Sequence, residues 1–465
     1  MSTPSRSSKL LDQSRPPWAV IVALAWPTIA EQLLQVMVTF VDSAMVGSLG
    51  AHATASVSVP TSTIWLVNGW MNAFAIGFGV LMARNLGAGK GDRARQIVRQ
   101  GLITAVPFGV LLTILFVAMA KILPSWIADD SRVIAQAETY FHYIAIGYLP
   151  NVMMILSSSF LRLSGDTKTP LILNALNNAM NIIFNALFIF PALTFGPIRI
   201  AGLGLGVKGA AMATTLACTI TAILLLTTIL SGRRDISPQA HSLHKWDRAI
   251  QRSALRLGIP VALERTTLSG GQILYTKLVG SLGTTALAAH FLANTTESIT
   301  YLPASGLSTA ATTLVAHSLG SENKPLAKRF GDTSLVLGTA FMSMMGLVLY
   351  FFGPAIIRIF TADEAVVQLG GMVLRIEAFA QPAFGLSMLA FGVFRGAGDT
   401  KSPFYISIAG MWLVRLPLAW ALVRFTALGL LGVWIAMASD LILRGAICLF
   451  TYRRYGWLSA YREQH

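Results

Sequence analysis

Thr39-Phe-Val-Asp-Ser-Ala-Met-Val-Gly-Ser-Leu-Gly50 places one carboxylate, Asp42, near the end of the first long apolar segment. Its last five residues, Val46–Gly50, return letter for letter as Val279–Gly283. A carboxylate in hydrocarbon costs about 2.5–3.5 kcal/mol on insertion scales, so its presence there calls for a reason. An identical pentapeptide 233 residues later says that the chain is two similar halves.

The repeat extends well beyond that pentapeptide. Pro27 pairs with Pro260 and Glu31 with Glu264; Ala83, Leu86, Gly87 and Ala94 pair with Ala316, Leu319, Gly320 and Ala327. Arg162-Leu-Ser-Gly-Asp-Thr-Lys-Thr-Pro170 pairs with Arg395-Gly-Ala-Gly-Asp-Thr-Lys-Ser-Pro403, again 233 residues on and without a gap. Later the spacing falls to 225, through Ala-Met-Ala at 211–213 and 436–438, so the first half carries a longer connection around 191–202.

Of 465 residues, 54% are apolar and only 12% charged. Soluble domains carry about 25% charged residues, so this composition belongs in a bilayer. A span needs about 20 mainly apolar residues. Twelve runs qualify, at 17–46, 51–81, 92–123, 133–161, 169–190, 203–230, 249–279, 285–314, 327–352, 366–394, 402–424 and 428–452. The expected fold is an all-α integral membrane protein of twelve transmembrane helices in two pseudo-symmetric six-helix lobes. Six is even, so both halves run the same way, related by an axis along the membrane normal. The layout is a tail at 1–16, an N-lobe at 17–231, a linker at 232–248, a C-lobe at 249–453 and a tail at 454–465.

The net charge of +15 sits in the short connections. Segments on the N-terminal side hold 23 Lys and Arg and those on the other side 6. That ratio makes the N-terminal side cytoplasmic, with both termini inside and the protein in the cell inner membrane. It also argues for membrane orientation rather than nucleic-acid binding. The first sixteen residues lack a separate short apolar core with a cleavage site, so the first helix reads as its own insertion signal. Cys218 and Cys448 lie in apolar helices with no metal or redox spacing and read as packing residues.

Asp42 has two readings: an acid at a helix end reaching water, or an ion-binding group. The second gains support from the fifth span, where Asn174, Asn177 or Asn178, Asn181 and Asn185 recur at three- and four-residue steps and share one helical face. Amides on an apolar helix need partners, and a row of them facing Asp42 would hold a proton or small cation. The competing reading is interhelical glue. Gln35 and Thr39 add polar groups to the first helix. The second half has Tyr275 at the position of Asp42, so the lobes are chemically unequal. Of its acids, Glu297, Glu264 and Glu377 are candidates for a secondary site, and Glu297, with no charge within a turn, is the preferred one; Asp440 stands one turn before Arg444 and reads as its neutralising partner. Pro27 and Pro260 bend their helices, as static kinks or as hinges.

The twin Gly-Asp-Thr-Lys turns lack the spacing of a phosphate loop and read as helix stops and caps. Gly202-Leu-Gly-Leu-Gly206 has no strand before it, and Asn294-Thr-Thr lies within a span. No nucleophile–base set and no metal-ligand spacing appears; His142, His290 and His317 stand alone. Nothing in the pattern points to an enzyme or to a bound cofactor.

Asp42-Ser-Ala-Met-Val-Gly-Ser-Leu-Gly50, the Leu86-Gly-Ala-Gly89 connection and the duplicated Arg-x-x-Gly-Asp-Thr-Lys-x-Pro together resemble the multidrug and toxic compound extrusion (MATE) family, and in detail its DNA-damage-inducible (DinF-like) branch. The resemblance covers essentially the whole chain. It implies a monomeric antiporter that exports small organic, often cationic, compounds in exchange for H⁺ or Na⁺, with Asp42 as the coupling acid and Thr214 as a threonine of the ion site. Many relatives carry Asn-x-x-x-Asp in the fifth helix where this chain has Asn181-Ile-Ile-Phe-Asn185. A missing carboxylate weakens a Na⁺ site, since hard cations want charged oxygens, which favours H⁺. The acid that another branch uses in the tenth helix has no clear counterpart. A lipid-linked precursor flippase of related build stays open, and Arg256, Arg265, Arg375 and Arg415 are the basic groups it would draw on.

Overall fold

The computed structural model describes residues 14–195, 198–232, 235–238, 246–454 and 456–459. Most of the expected tails, and linker residues 233–234 and 239–245, lie outside the described residues.

Helix α1 covers Pro17–Gly47, α2 Ala51–Ser58, α3 Thr61–Gly87 and α4 Gly91–Met119. A short α5 (Leu123–Ile127) leads to α6 (Ser131–Ile146), α7 (Tyr148–Leu163) and α8 (Lys168–Ile189). Strands β1 (Ala192–Phe195) and β2 (Ile198–Ala201) precede α9 (Gly206–Leu230). The second half holds α10 (Arg248–Gly280), α11 (Thr284–Gly320), α12 (Lys324–Arg358) and α13 (Glu364–Gly396). It continues with α14 (Lys401–Ile408), a π-helical stretch Ala409–Arg415, α15 (Leu416–Phe425), α16 (Leu430–Arg453) and the short α17 (Gly456–Ser459).

All twelve expected spans are present as helix, with α2–α3, α6–α7 and α14–α15 each filling one span. Among the described residues nine are long and apolar enough to cross a membrane, and ten with the bent pair α6–α7. The two remaining, α10 and α11, run 33 and 37 residues. They fall short in apolar content because α10 carries Arg248, Arg252, Arg256, Glu264, Arg265 and Lys277 and α11 is rich in threonine.

Two details depart from the sequence reading. The run at 133–161 is not one rod but α6 and α7, bent by 48°. The break falls at Gly147, where an added Cβ would meet Thr215 Oγ1 at 2.9 Å. Pro150 follows in the first turn of α7, where its missing N–H costs nothing. The longer connection of the first half is an antiparallel hairpin, Ala192 opposite Ala201 and Phe195 opposite Ile198, so the helical architecture gains one small pair of strands.

The repeated pentapeptide ends in the same backbone device twice. Gly50 has φ +108° and Gly283 φ +99°, values that a side chain rarely tolerates, and each starts the next helix.

Two compact units divide the chain. One holds Ala30–Asn85 and Lys90–Leu255; the other holds Arg256–His465, the described part of Met1–Ile29, and Leu86–Gly89. The division therefore falls inside α1, just after Pro27, and inside α10, just before Pro260, not in the loops ahead of them. In the second unit Val20, Ile21, Leu24 and Ala25 of α1 pack with Ala304, Leu307, Ala311 and Leu314 of α11. Glycines let its helices close tightly: the α-carbon of Gly392 on α13 faces the Ser308 carbonyl of α11, and Thr312 Oγ1 donates to Gly392 O at 2.8 Å. In the first unit Val46, Ala53, Ile189, Val207 and Ala210 form a core beside the Asp42 end of α1.

Candidate functional site

The amide row of α8 faces inward. Asn174, Asn178, Asn181 and Asn185 are all buried, as their spacing on one face requires. At one end of the row Asn185 Nδ2 donates to Asp42 Oδ1 at 2.7 Å and approaches Asn181 Oδ1 at 3.1 Å. The Asn181 amide lies 2.9 and 3.1 Å from the two Asp42 oxygens and 3.0 Å from Thr214 Oγ1 on α9. Three polar side chains from α8 and α9, Asn181, Asn185 and Thr214, thus gather around the one carboxyl group of α1.

The Asn181 amide has two settings, each suited to one charge state of Asp42, and they differ toward Asn185: with its oxygen toward Asp42 it accepts from Asn185 Nδ2 at 3.1 Å, and with its nitrogen there two amide nitrogens face each other at 3.1 Å. With its nitrogen toward an ionised Asp42, Asn181 donates to the carboxylate and accepts from Thr214 at 3.0 Å. With its oxygen toward a protonated Asp42, it accepts from the acid and donates to Thr214 at 3.0 Å, whose hydroxyl then donates to Ala210 O at 3.0 Å. Amide orientation is fixed by such networks rather than by the shape of the side chain. Asn185 Oδ1 is buried and has no hydrogen-bond partner among the described residues.

The other end of the row serves a different acid. Asn174 Nδ2 donates to Glu31 Oε1 at 2.8 Å, and Arg162 Nη1 donates to both Glu31 oxygens at 2.7 and 3.0 Å. The expectation that Asn174 supports Asp42 is corrected by distance. Eleven residues of helix separate it from Asn185, about 16 Å at 1.5 Å per residue. The second unit repeats this triad at the equivalent positions: Arg395 Nη2 donates to Glu264 at 3.0 and 3.2 Å, and Ser407 Oγ donates to Glu264 Oε1 at 3.2 Å. Glu264 therefore pairs with Arg395 across the unit rather than with its neighbour Arg265. The Gly-Asp-Thr-Lys turns do cap helices, with Asp166 accepting from Thr169 N at 3.3 Å and Asp399 from Ser402 N at 2.9 Å.

The second unit has its own buried polar cluster. Arg415 Nε donates to Asp440 Oδ2 at 2.9 Å, and Arg444 Nη2 to the same oxygen at 2.5 Å. The π-helical turn Ala409–Arg415 widens the helix here, and Gly410 lies against the Asp440 carboxyl where no side chain would fit. Such turns are frequent at functional positions. Glu297 and Glu377 are buried in the same unit. Glu377 is fully buried; Gln381 Nε2 donates to its Oε1 at 3.4 Å, and its Oε2 has no partner among the described residues. Tyr275, at the repeat position of Asp42, donates to Val433 O at 2.7 Å. Trp434 Nε1 donates to His290 Nδ1 at 3.1 Å, which makes His290 packing and glue.

Other expected residues lie outside the Asp42 cluster. Gln35 and Thr39 are exposed, and Thr39 Oγ1 donates to its own helix at Gln35 O, 2.9 Å away. Asn178 is buried within the amide row between the two acids. Pro27 and Pro260 lie inside unbroken helices. Sequence reasoning missed Arg162 and Arg395 as partners of Glu31 and Glu264, and the link from Arg415 to Asp440. The first pair was detectable: these are an acid and a base that both halves keep. Among the described residues no group of three or more His, Cys, Asp or Glu is placed to hold a metal.

The helical spans and the duplicated polar centres define a polytopic membrane transporter. The MatE family model matches residues 27–187 and again residues 260–421, and the chain belongs to that family. A relative called probable multidrug resistance protein NorM, from Thermotoga maritima, is 29% identical over 94% of this chain and 92% of its own length. Among solved structures, the outward-facing conformation of a multidrug resistance MATE family transporter of the MOP superfamily superposes with TM-score 0.90 at 20% identity, covering 98% of this chain and 99% of that one. MATE in the bent conformation superposes with TM-score 0.89 at 19% identity, covering 99% and 100%. The fold is that of these transporters.

Proposed function

We propose that this protein is a secondary active antiporter that exports small organic, often cationic compounds in exchange for H⁺, with Asp42 as the proton carrier. The carrying observation is the single carboxyl group of Asp42 held among Asn181, Asn185 and Thr214. Gain of a proton exchanges one hydrogen-bond setting for the other and so alters how α1 is held by α8 and α9. Pro27 lies where α1 passes between the compact units, which suits a bend that carries the change along the helix. The membrane potential supplies about 2.3 kcal/mol per charge per 100 mV, enough to shift a two-state population about fiftyfold.

One carboxylate with two amides and a hydroxyl suits a proton better than Na⁺. Na⁺ exchange is the second reading, and the orphaned Asn185 Oδ1 is the oxygen that would favour it. The basic excess on one side supports an inner-membrane protein with both termini cytoplasmic, and the proposed unit is a monomer. Its motif detail resembles the DNA-damage-inducible branch. Glu377, fully buried and with Oε2 unpartnered among the described residues, is the proposed second proton carrier in place of Glu297. Glu264 joins Arg395 in a structural pair, and of the arginines that a flippase reading would draw on, Arg415 is committed to Asp440.

The test is proton release on adding a cationic dye to reconstituted vesicles, with and without Na⁺. Asp42→Asn is expected to abolish dye-dependent proton movement while the helical fold survives. Full exchange by that variant, or exchange that demands Na⁺ at constant pH, overturns the reading.

A further inference from the structure

The second unit carries a groove of about 460 Å³ lined by Tyr350 of α12, Arg375 and Phe379 of α13, and Ile435, Ser439 and Ile442 of α16. The groove is apolar apart from Arg375 and Ser439, and Ser439 spends its hydroxyl on its own helix at Ile435 O. Phe379 is 72% exposed, and Phe351 and Phe352 beside Tyr350 are 67% and 59% exposed, so this face of the unit is one that a bilayer wets. An exposed arginine on it is out of place. Arg375 lies over the Tyr350 ring at 5.9 Å and donates Nε to Tyr350 O at 3.4 Å. Among the described residues no carboxylate pairs with it.

Depth decides what can meet that guanidinium. Arg375 is eleven residues into α13, about 16 Å from its start at 1.5 Å per residue. The helix, at about 50 Å, exceeds a hydrocarbon core of about 30 Å, so about 10 Å extends beyond it at each end if the excess is shared. The Arg375 backbone then lies about 6 Å inside the boundary, within the reach of a side chain that extends to the headgroup layer. A planar guanidinium at phosphate level, stacked on a ring above an apolar channel, matches one kind of ligand.

We infer that this groove is a binding site for an anionic glycerophospholipid, its phosphate on Arg375 and one acyl chain along Phe379, Ile435 and Ile442. The site is separate from ion coupling and does not depend on the transport reading. The leaflet it faces follows from the charge bias of the connections and is the outer one.

The test uses the full chain, purified and delipidated in detergent, titrated with dioctanoyl-phosphatidylglycerol or dioctanoyl-phosphatidylcholine and read by native mass spectrometry. Phosphatidylglycerol is expected to bind selectively, and Arg375→Gln to weaken it about tenfold. Arg358→Gln, at an exposed pair with Glu364, is expected to leave binding unchanged. Ser439→Trp, which fills the channel and keeps the guanidinium, is expected to weaken binding as much as Arg375→Gln, and it carries the test if the latter fails to fold. Equal binding of the two lipids, or undiminished phosphatidylglycerol binding by either groove variant, overturns the proposal.

Discussion

Asp42 and Asn185 are 143 residues apart and bonded at 2.7 Å; Glu31 and Asn174 are also 143 apart and bonded at 2.8 Å. Two contacts in constant register mean that α1 and α8 run parallel, side by side, over three turns. The pair Glu264 and Ser407 keeps the same separation in the second unit, at 3.2 Å. One geometry was duplicated, and only one end of one copy was given an acid without a basic partner in hydrogen-bond contact.

The first prediction concerns the Thr214 hydroxyl. It accepts in one Asn181 setting and donates in the other, so its loss removes the counterpart of both. Thr214→Val is expected to slow proton-coupled dye exchange about tenfold, the scale of one such hydrogen bond. Thr214→Ser restores it, and dye binding is unchanged in both. Exchange at the parent rate by the valine variant contradicts the relay.

The second concerns the twin ion pairs. Removing one partner of a buried pair costs about 3–5 kcal/mol, because the survivor is left desolvated. Glu264 has a side chain only 4% exposed, against 16% for Glu31. Glu264→Gln is therefore expected to lower thermal stability more than Glu31→Gln, both measured in the same detergent. Replacing both members, as Glu264→Gln with Arg395→Met, recovers part of the loss. A larger drop for Glu31→Gln would show that burial does not set the ranking.

The third concerns Glu377, whose Oε2 has no partner among the described residues. Glu377→Gln is isosteric and removes no ion pair, so melting is expected to shift by less than about 1 kcal/mol. If Glu377 carries a proton, the protons moved per dye molecule fall. An unchanged ratio with unchanged melting removes it from coupling.

The fourth is a pH dependence outside the membrane. Partial burial pushes the Asp247 carboxyl up, but hydrogen bonds from Ile250 N at 3.1 Å, Arg93 at 3.0 Å and Ala249 N at 3.0 Å outweigh it and hold it below its usual value. A depressed acid adds stability above its unfolded value, about 3.9, and loses it as pH falls through the folded value. Asp247→Asn keeps an oxygen that can cap the helix but gives up the charge beside Arg93, so it is expected to melt earlier than the parent at pH 7, by about 0.2–1 kcal/mol. The gap should close as the pH drops below about 4. A gap that stays constant down to pH 3 would assign the effect to shape rather than charge.

Much of this was legible in the chain. Apolar length gave the spans because the bilayer demands it, and letter-for-letter spacing gave the repeat. Asp42 and the amide row were visible because both sit wrongly in hydrocarbon. What stayed hidden has physical causes. The reach of Asn174 to Glu31 rather than Asp42 needed the rise of a helix counted out. The bend at Gly147 came from a glycine and Pro150 that apolar counting does not weigh. The π-helical turn that brings Arg415 to Asp440 leaves no periodic signature. The division inside α1 and α10 is tertiary packing, which no local pattern records.

That division reaches into how the protein can be made and cut. Each half of the duplicated sequence opens with a helical stub that belongs to the other compact body. Severing the linker should leave two fragments that assemble when produced together, whereas either one produced alone would present bare apolar strips to its surroundings and be degraded.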